Sequence, residues 1–206
     1  MTAEPESKEP SRLERRREER KQAILRAAGA ELARAGFSRA SLDDIAERVH
    51  VTKATLYHYY ENKEALYHAW MEAISAQVHA ELVAEAEAAG ETARGRLWRL
   101  AHREVMILTT GFPDYARLFM GAVDWPESFQ EQIRELRRGH EALFRGVISD
   151  GVASGEFRVV DETVARYCLQ GALIYVPEWF RDDGRSSAGQ IADAVADTVI
   201  RMFEKA

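Results

Sequence analysis

The sequence predicts an all-α protein of about nine helices, and three observations carry that prediction. Apolar residues recur at steps of three and four along most of the chain, the period of a helix with one buried face. No run alternates apolar with polar residues as a half-buried strand would. Among 206 residues there are only 5 prolines and 13 glycines, so helix-breaking positions are few.

Residues 1–11 are polar with two prolines and read as a disordered tail. A helix follows from about Leu13 to Ala35, with Ile24, Ala28 and Leu32 on its buried face. Gly36 stands where a helix C-cap glycine belongs, and Phe37 is the apolar anchor after it. Ser41-Leu42-Asp43-Asp44 has the form of a capping box: a serine N-cap, with a carboxylate three residues on to reach back to a free N–H. Leu42, Ile45, Ala46 and Val49 then give one apolar face, and the helix ends at Val49-His50 with Val51 in the turn. Thr52 can cap the next helix, Lys53 to Tyr60. Asn62 caps a long helix with Leu66, Trp70, Ile74 and Val78 at steps of four, running to about Ala89 and closed by Gly90.

The second half repeats the pattern. Thr92 to Thr109 is a helix with Leu97, Leu100, Ile107 and Leu108 as apolar positions, broken at Gly111-Phe112-Pro113. A shorter helix, Tyr115 to Val123, stops at Trp125-Pro126. Ser128 to Ser154 is long and ends at Gly155; the last two helices are Glu162 to Phe180 and Ser187 to Phe203. The expected division is a three-helix N-terminal domain over 12–68 and a helical bundle over 69–206.

Hydrophobic residues at 46% and charged residues at 30% describe an ordinary globular chain. The longest mainly apolar stretch, Cys168 to Val176, is far below the roughly 20 residues of a membrane span. The charged start reads as neither signal peptide nor anchor, so a cytoplasmic protein without membrane partners is expected. The single cysteine, Cys168, allows no internal disulfide and no cysteine-based zinc site. The net charge of −6 is unevenly spread: residues 1–68 hold 13 Lys and Arg against 12 Asp and Glu, leaving 15 and 22 for the rest. The basic cluster Arg12, Arg15, Arg16, Arg17, Arg20 and Lys21 lies in the first part, and local charge is what phosphates feel.

The informative segment is Ser41 to Lys63, a capped helix, a tight turn and a second short helix. That is the pattern of a helix-turn-helix, whose second helix enters the major groove of DNA. Leu56 and Tyr60 can pack this helix on the Leu42 and Ile45 face, while Tyr57, His58 and Tyr59 cannot all be buried with them. Lys53 at its start can reach a base edge or a phosphate, as can Thr55 and Tyr57, and Lys63 opens a helix whose N-terminus favours anions. A plain helical binding or scaffold domain would leave the exposed aromatics and the charge asymmetry unexplained. An enzyme is not expected. There is no glycine-rich phosphate loop, zinc-binding histidine pair or nucleophile elbow, the six histidines are scattered, and no cofactor or metal site is read.

Gly36-Phe37, Ser41-Leu-Asp-Asp-Ile-Ala46, Val51-Thr-Lys-Ala-Thr-Leu-Tyr-His-Tyr-Tyr60 and Asn62-Lys-Glu-Ala-Leu66 closely resemble the DNA-binding domain of the TetR family of bacterial repressors, over about residues 15–70. The resemblance implies a DNA-contacting set of Ser41, Thr52, Lys53, Ala54, Thr55, Tyr57, His58, Tyr59 and Lys63, with Ser41 and Lys63 on phosphates. It also implies a homodimer on a palindromic operator of double-stranded DNA, released by a small effector. Beyond residue 70 the likeness thins. Gly151-Val-Ala-Ser-Gly-Glu-Phe-Arg158 resembles the close of the family's seventh helix, and Trp179-Phe-Arg-Asp-Asp-Gly184 resembles its branch that senses acyl-CoA thioesters of lipid and aromatic-acid catabolism. This chain departs from that branch in carrying Gln170 where a basic residue is common.

A thioester sensor needs an apolar tunnel and cations at its mouth. Leu100, Ile107, Leu108, Phe112, Tyr115, Phe119, Phe144 and Tyr175 are the tunnel candidates; Arg99, Arg103 and Arg117 are the mouth candidates. A drug-like or other apolar effector, or an activator of the same fold, is the alternative. Val164, Cys168, Gly171, Ala172 and Tyr175, with Ile191, Val195, Val199 and Met202, form the expected four-helix dimer face, with Cys168 as a small buried hydrophobe.

Overall fold

The computed structural model describes residues 11–88, 92–112, 115 and 124–204. Among them the regular structure is helical throughout, and the chain divides into two compact units, Met1–Trp70 and Met71–Ala206.

The first unit is built by α1 (Arg12–Arg39), α2 (Leu42–Arg48), α3 (Lys53–Tyr59) and the opening turns of α4 (Lys63–Ala86). Ser11, read from sequence as tail, is instead the N-cap of α1: its hydroxyl accepts from Glu14 N–H and Glu14 reaches back to its own N–H. The basic stretch Arg12 to Lys21 is exposed along its whole length, having no apolar residue beyond Leu13 to bury. Helical geometry stops at Gly36, with φ +74° and ψ 167°. A Cβ there would meet nothing within 4 Å, so backbone strain and not crowding is what requires glycine. That turn sends Phe37 into a core with Ile24, Leu32, Ile45, Leu56 and Leu66, where its ring meets Tyr67 edge-on at 5.5 Å.

The second unit contains the rest of α4, α5 (Ala93–Met106), a π-turn Ile107–Gly111, a 3-10 turn Glu127–Phe129, α6 (Gln130–Ser154), α7 (Glu162–Ile174), α8 (Val176–Trp179) and α9 (Ala188–Ile200). The predicted helix Tyr115 to Val123 falls, apart from Tyr115, outside the described residues. Glu162 to Phe180 was expected to be continuous, but α7 stops at Ile174. Pro177 has no N–H to donate and its ring crowds the preceding turn, so the chain restarts as the single turn α8. Leu97, Leu100, Ala101 and Val105 of α5 are fully buried, as are Ala192 and Ala196 of α9, whose small side chains allow the two helices to pack closely.

The segment Gly151–Arg158 shows how one short motif closes this unit. Gly151 is glycine because a Cβ would overlap the Phe157 ring, which is buried against Phe203 at 5.4 Å. Gly155 ends α6 in the left-handed conformation. Glu156 then caps α5 from outside, accepting from Ala93 and Arg94 N–H, both at 3.2 Å. These bonds from Arg94 and Ala93 hold its carboxyl below the ordinary value.

Candidate nucleic-acid interface and effector cavity

In the first unit α2 and α3 are set by three caps. The Ser41 hydroxyl accepts from Asp43 and Asp44 N–H at 3.2 and 3.4 Å. The predicted capping box is only half formed, because Asp44 turns away to Arg34 at 2.9 Å. The Ser41 N–H is met by the buried Glu31 of α1 instead, at 3.4 Å, and Glu31 also holds Arg34 at 2.6 Å. The turn after α2 is a Schellman closure: His50 N–H donates to Glu47 O, Val51 N–H to Ala46 O, and His50 takes φ +54° where glycine is more usual. The Thr52 hydroxyl then accepts from Thr55 N–H at 3.1 Å and starts α3.

This frame presents one face of α3. Leu56 and Tyr60 point into the core, and burial first, then the charges of Glu18 and Tyr59, pushes the Tyr60 phenol up to about 12. Lys53, Ala54, Tyr57 and His58 are exposed, Thr55 and Tyr59 half-buried, with Tyr59 edge-on to His58 at 5.8 Å. Lys53 is held at the helix start by Asp43 of α2 at 2.7 Å, which raises its pKa. Lys63, expected on a phosphate, has another task in this structure. Its ammonium donates to the carbonyls of Phe37, Ser38 and Ala40 at 2.8, 3.2 and 3.3 Å and lies 4.8 Å from the centre of the Phe37 ring. An ammonium has three protons, so these carbonyls engage all of them.

Glu31 is the positioning residue that sequence reading missed. The Arg34 bond is the largest influence on its carboxyl; burial opposes it, the Ser41 N–H adds to it, and the net pKa lies below the ordinary 4.5. A depressed carboxylate contributes stability that is present above its unfolded value and lost as pH falls through the folded one. Glu31→Gln is therefore expected to lower the thermal midpoint at neutral pH. The gap from wild type should close as pH drops below the ordinary carboxylate range, as read by circular dichroism melts.

The second unit contains a cleft of 480 Å³ lined by α4, Tyr115 and α6, including Glu72, Ser75, Val78, His79, Leu82, Gln132, Glu135, Gly139 and His140. Val78, Leu82, Tyr115 and His140 also line a smaller inner void with Glu104, Ile107, Leu108 and Ile174. Of the predicted residues, Tyr115 lines both the cleft and the void, and Ile107 and Leu108 line the void of 10 Å³ alone. Leu100 and Phe144 are core residues, Phe112 is half-buried off the lining, and Tyr175 is 62% exposed on another surface. Arg117 and Phe119 lie outside the described residues. The predicted mouth cations Arg99 and Arg103 face carboxylates of α4, Glu85 and Glu81, each at 3.1 Å. Gln170 is buried and accepts from Arg166 at 2.9 Å, and Arg166 lies 3.3 Å from Glu141.

At the inner end His140 Nε2 sits 3.1 Å from Glu104 Oε1, both residues buried. Burial alone would push His140 down, but the charge and hydrogen bond of Glu104, helped by Glu141, outweigh it and raise its pKa. Glu104 Oε2 is buried with no hydrogen-bond partner, an arrangement that costs about 1–3 kcal/mol. The sequence did carry a signal for this pair. Leu97, Ala101, Glu104 and Leu108 share one helical face, and so do Ile133, His140, Phe144 and Val147, so each charge interrupts an apolar stripe.

Among the described residues no group of side chains could hold a metal ion, and no helix is long and apolar enough to cross a membrane. Residues 24–70 match the family described as "Bacterial regulatory proteins, tetR family", and residues 90–203 match "Tetracyclin repressor-like, C-terminal domain". None of the curated proteins compared with the chain matches it. Among solved structures, AibR in complex with isovaleryl coenzyme A and operator DNA is 25% identical, with TM-score 0.76 over 87% of this chain and 97% of that one. PfmR from Thermus thermophilus is 27% identical, with TM-score 0.71 over 88% and 99%. A tetR-family regulatory protein from Rhodococcus RHA1 is 25% identical, with TM-score 0.72 over 91% and 98%. The helix-turn-helix frame and both family matches agree: the chain is a transcriptional regulator belonging to the TetR family.

Proposed function

We propose that this regulator is a repressor that binds a palindromic operator as a homodimer and is released when a small effector fills the cavity of its second unit. The observation that carries the DNA reading is the outer face of α3, where Lys53, Ala54, Tyr57 and His58 are exposed. Lys53, Thr55, Tyr57, His58 and Tyr59 would meet base edges, while Ser41, Thr52 and the exposed arginines of α1 would meet phosphates. Lys63 is left out of this set, because its donors hold the Gly36 turn in place. The dimer reading rests on an uncovered stripe of α7 and its C-cap, where Val164, Cys168 and Gly171, then Tyr175, are all exposed at helical spacing; Cys168 would be buried only in the pair. Ile191 and Val195 of α9 are half-buried, and Val199 packs inside its own subunit, so the α9 contribution is narrower than sequence reading expected.

Two effector readings have support. AibR binds isovaleryl coenzyme A, which favours an acyl-CoA thioester. The engaged state of Arg99 and Arg103 and the acidic lining favour instead a drug-like or other apolar molecule without phosphates. In either case an effector that prefers the conformation with misplaced recognition helices weakens operator binding by the coupling energy, typically about 1–3 kcal/mol.

Selection of bound duplexes from a random-sequence pool tests this reading. The expected result is an enriched palindrome with half-site centres roughly 10 bp, or a multiple, apart. Enrichment of no sequence, or of single half-sites only, would contradict it.

A further inference from the structure

The polarity of the cavity identifies a class of ligand more narrowly than its size does. The described lining of the 480 Å³ cleft holds Glu72 and Glu135, that of the adjoining void of 10 Å³ holds Glu104, and neither holds a lysine or arginine. Nearby cations are engaged elsewhere: Arg99 by Glu85, Arg103 by Glu81, and Arg138 by Glu131 at 3.0 Å. At the inner end His140 satisfies one oxygen of Glu104, and the other oxygen is buried with no donor. Val78, Leu82, Tyr115 and His140 line both the cleft and the void and so join them, while Ile107 and Leu108 line the void alone. A carboxylate oxygen accepts and cannot donate, so its missing partner is a donor, and the acidic rim favours one that is positively charged.

We infer that this site recognises an organic cation, a protonated amine on an apolar body, whose N–H enters the void to meet the free oxygen of Glu104 while the body lies in the cleft along Val78 and Leu82. This rests on the proposal that the cavity is the effector site. A protonated amine would add a charge-assisted bond to an oxygen that is otherwise unsatisfied, whereas a carboxylate or phosphate head would face like charge.

The test uses the full chain and four probes that share an eight-carbon body: octylamine, octanol, octanoate and octanoyl-CoA, each titrated by calorimetry near neutral pH. Octylamine is expected to bind at least about tenfold more tightly than octanoate or octanoyl-CoA, with octanol between. Glu104→Gln is expected to remove that preference. Because this change also disturbs His140, a second variant is needed. Gly139 lines the cavity in α6, and a Cβ there meets nothing within 4 Å, so Gly139→Phe fills the site without a clash at its root. It is expected to keep the wild-type helical signal and lose octylamine binding. Tighter binding of octanoate or octanoyl-CoA, abolished by Gly139→Phe, would overturn the amine inference and keep the cavity as effector site. An amine preference unchanged in Glu104→Gln would also overturn it. Binding of no probe, or binding indifferent to Gly139→Phe, would overturn both.

Discussion

Tyr57→Ala is expected to abolish the mobility shift of operator DNA while the circular dichroism spectrum and thermal midpoint stay at wild-type values. Tyr57 lies on the outer face of α3 and is 47% exposed, so its removal leaves no cavity and no orphaned hydrogen bond. The packing that holds α3 comes from Leu56 and Tyr60, which point the other way. A base-edge contact is worth about 1–3 kcal/mol, and a symmetric dimer makes it twice, so the loss is about 2–6 kcal/mol. Loss of helicity in this variant would mean that Tyr57 supports the fold, and retained binding would mean that it does not face DNA. Leu56→Ala is the informative contrast: Leu56 is 2% exposed, and its truncation should cost about 2–5 kcal/mol of stability and lose binding through unfolding.

Gly171→Arg is expected to convert the protein to a folded monomer in sedimentation equilibrium and to lose operator binding with the dimer. In the single chain Gly171 is exposed, and a Cβ there meets nothing within 4 Å, so the fold tolerates a side chain. Arginine is also a far better helix former than glycine, by up to about 1 kcal/mol. In a four-helix interface the same position lies where two backbones approach, and an unpaired buried charge there costs several kcal/mol. Association should weaken by at least about a hundredfold. A Gly171→Arg protein that remains dimeric would place the interface on another surface.

Local chemistry was legible in the sequence wherever a residue acts on its own neighbourhood. Thr52, Asn62, Thr92 and Ser187 cap the helices that their spacing announced, and Gly36 and Gly155 take positive φ where a periodic segment stops. Failures came where a distant partner decides. Asp44 had the right spacing to complete a capping box, but it accepts from Arg34 instead, and Glu31, ten residues before Ser41, meets the Ser41 N–H. Nothing local to Lys63 reveals that the chain turn at Gly36 brings three carbonyls to its ammonium. In the second unit the tunnel candidates were apolar residues of α5 and its surroundings, and several proved to be core, since periodicity marks burial without saying against what. The polar pair at the end of the cavity was the more specific signal, a charge on each of two apolar stripes, and only the packing of α5 against α6 joins Glu104 to His140.

The central claim is that α3 reads a specific duplex, and the most direct test is a mobility shift on the segment upstream of the protein's own gene, repeated across salt concentration. A positioned dimer that neutralises several phosphates should give a sequence-specific shift whose affinity falls steeply, by a factor of roughly 10³ or more, between about 50 and 200 mM salt. A shift equal on scrambled DNA, or no salt-sensitive shift on any such segment, would contradict the account.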